Sequence, residues 1–267
     1  MPSKTKPGSI VTLTTDFGSS DHFAGVMKGV ILGICPQARI VDITHDIPTF
    51  DVAEAAFTIG QAYRYFPPKT VHTVVVDPGV GTVRRPILVE AAGQFFVGPD
   101  NGIFAFILVE EKHRVRAISN AKYFLQPVSR TFHGRDVFAP VAAHLANGVP
   151  PARMGKPIDN YLRPSSLKPV RTARRGWTGS ILKVDRFGNL ITNFLAAEFP
   201  RALQESFEMA VGLQKVNRLA GNYEQFGPGE LFAIVGSSGY LEISAGQASA
   251  ARILGVAAGA PVELTIF

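Results

Sequence analysis

The sequence predicts an α/β amino-terminal domain with a largely parallel sheet, followed by a small all-β barrel domain. In the first half of the chain, strand-like runs alternate with runs of helical periodicity, which is typical of parallel α/β folds. From residue 179 onward, strand-like runs separated by turn residues dominate, which is typical of a barrel or sandwich. Because a Pro-rich stretch at 148–170 lies between the two patterns, we assign residues 1–165 to the first domain and residues 166–267 to the second.

The first domain is predicted to alternate strands and helices as far as its third strand. The strands are runs of β-branched and apolar residues, and the helices carry apolar residues three and four positions apart. Pro36 ends the first helix, Pro67 ends the second, and Asp51 is expected to cap the second. In order, the segments are strand Ser9–Thr15, helix Phe23–Cys35, strand Arg39–Thr44, helix Val52–Tyr65 and strand Thr70–Val76.

A hairpin, a further strand and two helices are predicted for the rest of the first domain. Two short apolar runs flank Ala92-Gly93, which is typical of a hairpin turn. The segments are hairpin strands Ile87–Ala91 and Gln94–Val97, helix Ile103–Val109, strand Arg114–Ile118 and helix Val137–Ala146. The second domain contributes strand-like runs at Ser180–Phe194, Glu230–Ser244 and Pro261–Phe267, with one helix at Ala248–Leu254.

The composition indicates a packed protein rather than a disordered one. Of the 267 residues, 46% are hydrophobic and 18% are charged. A net charge of +6 is compatible with nucleic-acid binding. However, the densest basic stretch, Arg163–Arg175, follows no periodic face. We therefore interpret it as a solvated linker and expect no nucleic-acid partner.

Cysteine content and hydropathy bear on the compartment. Cys35 is the only cysteine, so no intrachain disulfide is possible, and we expect it to be a small buried hydrophobe at the end of the first helix. Met1–Gly8 is polar and basic without the apolar core of a signal peptide, and no apolar run approaches the length of a membrane span. We expect a cytoplasmic protein with no membrane partner.

Aspartates follow four of the predicted strands. In Val74–Arg85, a β-branched run stops at Asp77-Pro78-Gly79, and two arginines, Arg84 and Arg85, close the loop. Parallel strands have their carboxyl ends at one edge of the sheet, and ligands of open α/β sheets bind there. From this segment alone, Asp77 either lies at a ligand site or simply initiates a turn. The same pattern occurs at Asp16, Asp46 and Asp100.

The residues alone leave three explanations for these carboxylates open. Carboxylates at one edge repel each other unless a cation, a metal or a hydrogen-bonding ligand meets them. The first explanation is a divalent metal held together with His45 or His133, although no HxxxH or DxDxDG motif occurs. The second is a ligand with hydroxyls and an ammonium group. The third is turn chemistry alone.

Three further segments carry groups that can meet a ligand. His133-Gly134-Arg135-Asp136 lies in a loop ahead of a predicted helix, where the His is either an acid or base or a surface or capping residue. In the second domain, residues 185–193 and 236–242 place amides and hydroxyls beside glycines. They fit either a polar ligand or ordinary hairpin turns.

Seven motifs together resemble one enzyme family. In this order, and over nearly the whole chain from Ile10, they resemble the S-adenosyl-L-methionine (SAM) hydroxide adenosyltransferases, or SAM hydrolases. These are relatives of the fluorinating and chlorinating enzymes that use the same substrate. The motifs are TTDFGSSDHFAGVMKG, ITHDIP, VVVDPGVGTVRR, FVGPDNG, FHGRDVFAP, DRFGNLITN and GSSGYLEI.

The resemblance implies an activity and an assembly. The family cleaves SAM with water at the ribose C5′ to give adenosine and L-methionine, without a metal or another cofactor. It has an α/β domain followed by a β-barrel, and it forms a homotrimer that holds the substrate between domains of neighbouring subunits. Matched by motif, the residues that handle the water are Asp77, Arg84 and His133.

Substrate-binding positions are also implied by the resemblance. The halogenating relatives carry Tyr at the position of Asp77 and Ser near that of Gly134, so these two residues indicate the hydroxide branch. Ser238 stands where the halogenating enzymes carry Arg. The positions are Asp16 for the ribose hydroxyls, Asp185 and Ser237 for the methionine end, Asn189 for adenine or nearby groups, Tyr223 for stacking on adenine, and Gly134, Ser238 and Glu242 in the motifs around them.

These residue types fit the chemistry. A sulfonium is already a good leaving group, so the protein must chiefly orient one water and exclude others. The carboxylate of Asp77 can accept a proton, the guanidinium of Arg84 can stabilise hydroxide, and His133 can relay the proton. Two other functions stay open: a non-catalytic adenosine- or SAM-binding module, and metal-dependent hydrolysis of a phosphorylated nucleoside.

Overall fold

The chain divides into two compact units, Met1–Pro164 and Ser165–Phe267. A computed structural model describes residues 9–163 and 167–267. The predicted domain boundary at 165/166 and the segment Met1–Gly8 lie outside the described residues. Each unit has its own hydrophobic core.

The first unit alternates strands and helices as predicted as far as the third strand. Its strands are β1 (Ile10–Thr15), β2 (Arg39–Thr44), β3 (Val71–Val75), β4 (Pro86–Ala91), β5 (Gln94–Pro99) and β6 (His113–Ala117). Its helices are α1 (Phe23–Ile34), α2 (Val52–Ala62), α3 (Ala105–Glu110) and α4 (Ala139–Ala146). A 3₁₀ turn at Tyr63–Tyr65 follows α2, and a π-helical turn at Gly134–Phe138 leads into α4.

The sheet of this unit is only partly parallel. Within the described residues its strand order is β2-β1-β3-β5-β4-β6. The pairs β1–β2, β1–β3 and β3–β5 are parallel, whereas both pairings of β4 are antiparallel. The prediction of a largely parallel sheet therefore holds for four neighbouring strands and not for the β4 edge. The cause is the short Ala92-Gly93 connection, which allows only an antiparallel return.

Helices cover both faces of this sheet. Residues of α1 and α4, among them Met27, Ile31 and Val141, form one core with Val11 and Leu13 of β1. On the opposite face, α2 and α3 pack against β3, β4 and β5. This alternation of layers buries both faces, as parallel strands require.

Local sequence signals set the ends of the helices. The Asp51 side chain accepts a hydrogen bond of 2.8 Å from the Glu54 amide, which confirms the predicted cap of α2. Cys35 follows α1 directly and is completely buried, as predicted for a small hydrophobe. No helix among the described residues is long and apolar enough to cross a bilayer.

The second unit is one curled sheet with a short helix, α5 (Ala250–Leu254). In the part of the chain that the structure describes, it has nine strands, in the order β11-β10-β15-β8-β9-β14-β13-β12, with β7 paired to β8. They are β7 (Val170–Ala173), β8 (Gly176–Val184), β9 (Leu190–Leu195), β10 (Phe207–Val211), β11 (Gln214–Val216), β12 (Leu219–Ala220), β13 (Leu231–Val235), β14 (Tyr240–Ala245) and β15 (Pro261–Ile266).

This sheet is antiparallel except for the pair β12–β13. Its inner face encloses a core that includes Phe194, Met209, Leu241 and Leu264. In the hydrogen-bonded order of the described strands, β11 and β12 form the two ends of the sheet. The arrangement fits a half-barrel, and the predicted barrel is confirmed only to that extent.

A buried polar network crosses the first sheet at His72 of β3. Gln94 donates its Nε2 hydrogens to backbone carbonyls such as that of Phe66 (2.7 Å), so its Oε1 faces His72 Nε2 as acceptor, at 3.1 Å. His72 Nδ1 then accepts from the Thr12 hydroxyl at 2.8 Å. Burial lowers the pKa of His72 from 6.5 to about 4, although the bond to Gln94 raises it. His72 is therefore neutral in the folded protein near pH 7.

This network predicts a loss of stability in mild acid. Between pH 6.5 and about 4 the unfolded chain binds a proton at His72 and the folded one does not, so stability falls as the pH falls through this window. The full effect is about 3 kcal/mol, at about 1.4 kcal/mol per pH unit. Urea unfolding at a series of pH values gives the free energy of unfolding as a function of pH, and this free energy should change less with pH in His72→Gln than in the wild type. The exposed-site control His22→Gln should keep the pH dependence of the wild type. An equal pH dependence in all three proteins would contradict the assignment.

Candidate active site

Four aspartates lie where parallel strands end. Asp16 follows β1, Asp46 follows β2, Asp77 follows β3, and Asp100 follows β5. Because these strands are parallel, their ends share one edge of the sheet, as predicted. Protein groups already balance three of the carboxylates: Asp77 pairs with Arg84, Asp100 with Arg85, and Asp16 accepts from the Phe50 amide at 3.0 Å.

The two neighbouring arginines point to different partners. Arg84 contacts Asp77 through both Nε and Nη2, with Nε at 2.8 Å from Oδ1. Arg85 instead binds Asp100 at 2.9 Å and the Asn160 side chain at 2.9 Å, which ties the loop to the residues near 160. The structure therefore brings Arg84, and not Arg85, beside Asp77.

Arg84 also joins Asp77 to His133. Its Nη2 lies 2.9 Å from His133 Nδ1, and its guanidinium carbon lies 5.3 Å from the centre of the Phe138 ring. The Arg84 side chain is 9% exposed and that of Asp77 is 5% exposed. Since burial of an unpaired charge is costly, each of the two charges requires the other in this place.

The contact with Arg84 fixes the protonation of His133. A guanidinium can only donate, so His133 Nδ1 must accept, and the imidazole hydrogen lies on Nε2. Burial and then the Arg84 charge lower the pKa of His133, while Asp77 and Asp136 raise it less. His133 is therefore a neutral imidazole whose Nε2–H is left to donate to a bound molecule.

Glycines allow the two loops to approach. Gly81 has φ +74°, and a Cβ there would lie 2.2 Å from the Arg130 carbonyl oxygen. This close approach packs the loop after Asp77 against the segment that leads to His133. At Gly134, a Cβ would lie 3.1 Å from both Met27 Sδ and the Phe132 ring, so the chain has little room for a side chain at this position.

A cavity of about 310 Å³ adjoins this cluster within the first unit. Its polar lining includes Asp16, Asp77 and His133, and Gly134 also borders it. An aromatic wall completes it, made of Phe17, Phe23 and Phe132, whose ring centres lie 5.1–5.8 Å apart. Four predicted site residues thus share one cavity, with Arg84 directly behind two of them.

Sequence reasoning missed Phe50, which also borders the cavity. Phe50 is 66% exposed and has φ +67°, a conformation that is uncommon for a bulky residue and that often marks a functional site. Its amide donates to Asp16, so the two residues hold each other in place. No pattern in the sequence indicates this conformation, because it depends on the contact across the two loops.

In the second unit, the turn between β8 and β9 is organised by Asp185. Its Oδ1 accepts from the amides of Phe187 (2.8 Å) and Asn189 (2.9 Å), and its Oδ2 accepts from Asn189 Nδ2 at 2.8 Å. The carboxylate is thus largely engaged within its own turn, and Asn189 is buried against it. The predicted binding role of both residues stays a prediction.

Glu242 and Tyr223 form a second pair in this unit. The Tyr223 hydroxyl donates to Glu242 Oε2 at 3.3 Å. Burial and the charge of Asp185 raise the pKa of Glu242, although the Tyr223 bond lowers it. Burial, together with Glu242 and Asp185, likewise raises the pKa of the Tyr223 phenol. Asp185 is therefore close enough to act electrostatically on both residues.

The turn between β13 and β14 passes over Glu242. A Cβ on Gly236 would lie 1.7 Å from Glu242 Oε1, so a side chain there would require the Glu242 carboxylate to move. Ser237 is exposed, and the Ser238 hydroxyl is buried without a hydrogen-bond partner among the described residues. Of the predicted residues of the second unit, Tyr223 contacts Glu242 and Asp185 acts on it electrostatically. Within residues 9–163 and 167–267, no cluster of three His, Cys, Asp or Glu side chains is placed to hold a metal.

The cluster at the strand ends is of the kind that enzymes use to activate a water or hydroxyl group. Comparison with protein families gives the particular class. Residues 11–155 match the SAM hydroxide adenosyltransferase N-terminal domain, and residues 179–263 match the SAM hydroxide adenosyltransferase C-terminal domain. The chain belongs to the SAM hydroxide adenosyltransferase family.

Individual proteins are similar over most of their length. An (R)-S-adenosyl-L-methionine hydrolase of Salinispora tropica is 36% identical and covers 97% of this chain and 98% of its own. A fluorinase of an Actinoplanes species is 30% identical over 76% of each chain. The crystal structure of an uncharacterized conserved protein from Thermotoga maritima has a TM-score of 0.88 and 38% identity, covering 96% of this chain and 99% of that one.

The site geometry predicts the titration of His133. We expect ¹⁵N-resolved NMR to find the Nε2–H tautomer with a pKa below 6.5, because burial and Arg84 both oppose the charged form. Arg84→Met should raise this pKa, since it removes the guanidinium charge. His144, whose pKa burial alone lowers, should not change in that variant. A His133 pKa that is unaffected by Arg84→Met would contradict the proposed contact.

Proposed function

We propose that this protein hydrolyses SAM at the ribose C5′ and releases adenosine and L-methionine. The observation that carries the proposal is the Asp77–Arg84–His133 cluster beside a cavity that also contains Asp16. Membership of the SAM hydroxide adenosyltransferase family supports it, as do relatives that bear the name of (R)-S-adenosyl-L-methionine hydrolase over nearly the full chain.

The reaction is a displacement at carbon. The oxygen of water forms a bond to C5′ while the bond from C5′ to the sulfonium sulfur breaks, and the electron pair of that bond stays on the sulfur of methionine. One proton of the water must leave. We assign its acceptance to Asp77, whose carboxylate borders the cavity and whose oxygens keep lone pairs beyond those facing Arg84.

Arg84 and His133 then have distinct roles. Arg84 forms an ion pair with Asp77 and supplies positive charge behind the developing hydroxide. His133 donates from Nε2 and so orients the water oxygen, because its Nδ1 is engaged by Arg84. A proton relay through His133 would require this contact to break first, so orientation is the role that fits the observed geometry.

Substrate binding is proposed for residues of both units. In the first unit, the Asp16 carboxylate suits the ribose diol, since each hydroxyl can donate to one oxygen. In the second unit, Asp185 and Ser237 are proposed for the methionine end and Asn189 for adenine. Tyr223, Ser238 and Glu242 lie in the same unit and are proposed to complete this part of the site.

Water is proposed as the nucleophile instead of a halide ion. The carboxylate of Asp77 repels an anion at the position where the nucleophile must enter. A side chain at Gly134 would meet Met27 and Phe132, so a hydroxyl-bearing residue has little room there. A homotrimer with sites between subunits, a cytoplasmic location and the lack of a nucleic-acid partner also remain proposals.

The activity test is product chromatography after incubation with SAM. We expect adenosine and methionine from the wild-type protein and a loss of about 10²–10⁴-fold in Asp77→Asn, since the amide cannot accept the proton. Asp100→Asn is the matched control, because Asp100 also follows a strand and pairs with an arginine; it should keep near wild-type turnover. Normal turnover in Asp77→Asn would reject the assigned set. Tight binding of SAM with no turnover by the wild type would indicate a non-catalytic binding module.

A chelator provides the second test of mechanism. Because the leaving group departs as a neutral thioether, no Lewis acid is required, and we expect adenosine formation to be unchanged in excess EDTA. His133→Ala assayed in the same way should be impaired both with and without EDTA, since it removes the donor to the water. Loss of wild-type activity in EDTA, with recovery on addition of Mg²⁺ or Zn²⁺, would instead support a metal-dependent hydrolase.

A further inference from the structure

A chain of polar contacts lies outside the cluster described above and ends at Thr15, the residue before Asp16 of the cavity lining. The Thr15 hydroxyl lies 2.8 Å from His45 Nδ1, and His45 Nε2 lies 3.1 Å from Asp42 Oδ1. Asp42 Oδ2 in turn accepts from Lys28 Nζ at 2.6 Å. The chain therefore connects a half-buried lysine of α1 to a buried threonine at the end of β1.

The donors and acceptors of this chain form one consistent set. Asp42 is held as a carboxylate: although burial raises its pKa, the bond and charge of Lys28 and the nearby His45 lower it more. His45 Nε2 faces this carboxylate at ion-pair distance, although the contact lacks the geometry of a hydrogen bond. With the imidazole hydrogen on Nε2, His45 Nδ1 accepts from the Thr15 hydroxyl. The Thr15 oxygen then accepts from the Phe17 amide at 3.3 Å.

These contacts fix the backbone on both sides of Asp16. Thr15 precedes Asp16, and Phe17, bound to the Thr15 hydroxyl, follows it. The Gly18 amide donates to the His45 carbonyl at 2.8 Å, which joins the same two loops a second time. His45 thus holds the loop after β1 against the loop after β2, and the latter carries Phe50, whose amide binds the Asp16 carboxylate.

The arrangement of hydroxyl, imidazole and carboxylate also resembles that of a nucleophile, its base and an orienting acid. Burial excludes this role. Thr15 is completely buried, and its oxygen already accepts from the Phe17 amide. The His45 side chain is 11% exposed, and its Nδ1 is engaged by Thr15. No substrate can reach the Thr15 hydroxyl without unfolding the end of β1.

We propose that Asp42, His45 and Thr15 are positioning residues for ribose recognition, which act by holding the Asp16 carboxylate in the orientation that a vicinal diol requires. This inference rests on the proposed function in one respect, the assignment of Asp16 to the ribose hydroxyls. It assigns His45 a role different from that of His133: His45 sets affinity for the nucleoside, and His133 acts on the reacting water.

Steady-state kinetics with SAM test the role of His45. We expect His45→Ala to raise KM about tenfold while kcat falls less than about threefold, because the Asp77 cluster lies on other loops. His113→Ala is the matched control, since His113 is also bonded through both nitrogens, to the Glu111 carbonyl and the Tyr161 hydroxyl. It should leave both constants near wild type. A large loss of kcat at constant KM, or a lowered melting temperature with unchanged KM, would overturn the proposal.

Two conservative variants distinguish the roles of the two imidazole nitrogens of His45. In His45→Asn, the amide oxygen can replace Nδ1 and accept from Thr15, so KM should return towards wild type. In His45→Gln, the longer side chain reaches Asp42 but not Thr15, so the increase in KM should persist. If the imidazole only filled space, Gln would restore KM as well as Asn. Equal KM values in these two variants would therefore contradict positioning through Thr15.

Binding of nucleosides distinguishes this inference from the proposed function. By calorimetry, the wild type should bind adenosine about tenfold more tightly than 2′-deoxyadenosine, and His45→Ala should lose most of this preference. If the wild type forms no adenosine from SAM but shows this pattern of binding, the hydrolase proposal fails and the positioning role stands. If the wild type hydrolyses SAM and His45→Ala keeps the full preference, the positioning role fails. Absence of both turnover and adenosine binding would overturn both.

Discussion

The contact between Arg84 and Asp77 is the interaction on which the site depends. Both side chains are almost completely buried, and a single buried charge would be far less stable than the pair. The pairing draws the loop after β3 back towards its own strand, where Gly81 packs against the Arg130 carbonyl. The same guanidinium determines that His133 is neutral and which of its nitrogens bears the hydrogen.

The direction of the strands explains why these residues meet. Four neighbouring strands run in parallel, so the loops that carry Asp16, Asp46, Asp77 and Asp100 leave the sheet at one edge. The inserted strand β4 reverses direction without disturbing this edge, because it lies beyond β5. At the edge, protein groups separate the carboxylates into different roles: Asp100 is engaged by Arg85 and the Leu162 amide, whereas Asp16 and Asp77 border the cavity.

In the second unit, the carboxylates of the candidate site are stabilised by backbone amides and a tyrosine hydroxyl instead of arginines. Asp185 accepts hydrogen bonds from amides of its own turn, and the buried Glu242 side chain occupies the space where a Cβ at Gly236 would lie. Burial raises the pKa of Glu242, as does the nearby Asp185 to a smaller extent, and the side chain that donates to Glu242 is the hydroxyl of Tyr223. The two units therefore place carboxylates of different character at their candidate sites: Asp77, which is paired with an arginine, and Glu242, whose pKa burial raises.

The sequence by itself determined the features that depend on neighbours along the chain. It predicted the alternation of strands and helices, the Asp51 cap and the aspartates at strand ends, because periodicity, capping and turn chemistry act over a few residues. The seven motifs in order also sufficed to predict the family. Only the tertiary structure decided the antiparallel pairing of β4 with β6, the choice of Arg84 over Arg85, the conformation of Phe50 and the contact between Thr15 and His45. Each of these depends on contacts between separate segments of the chain, which come close together only when the elements that carry them pack in the folded protein.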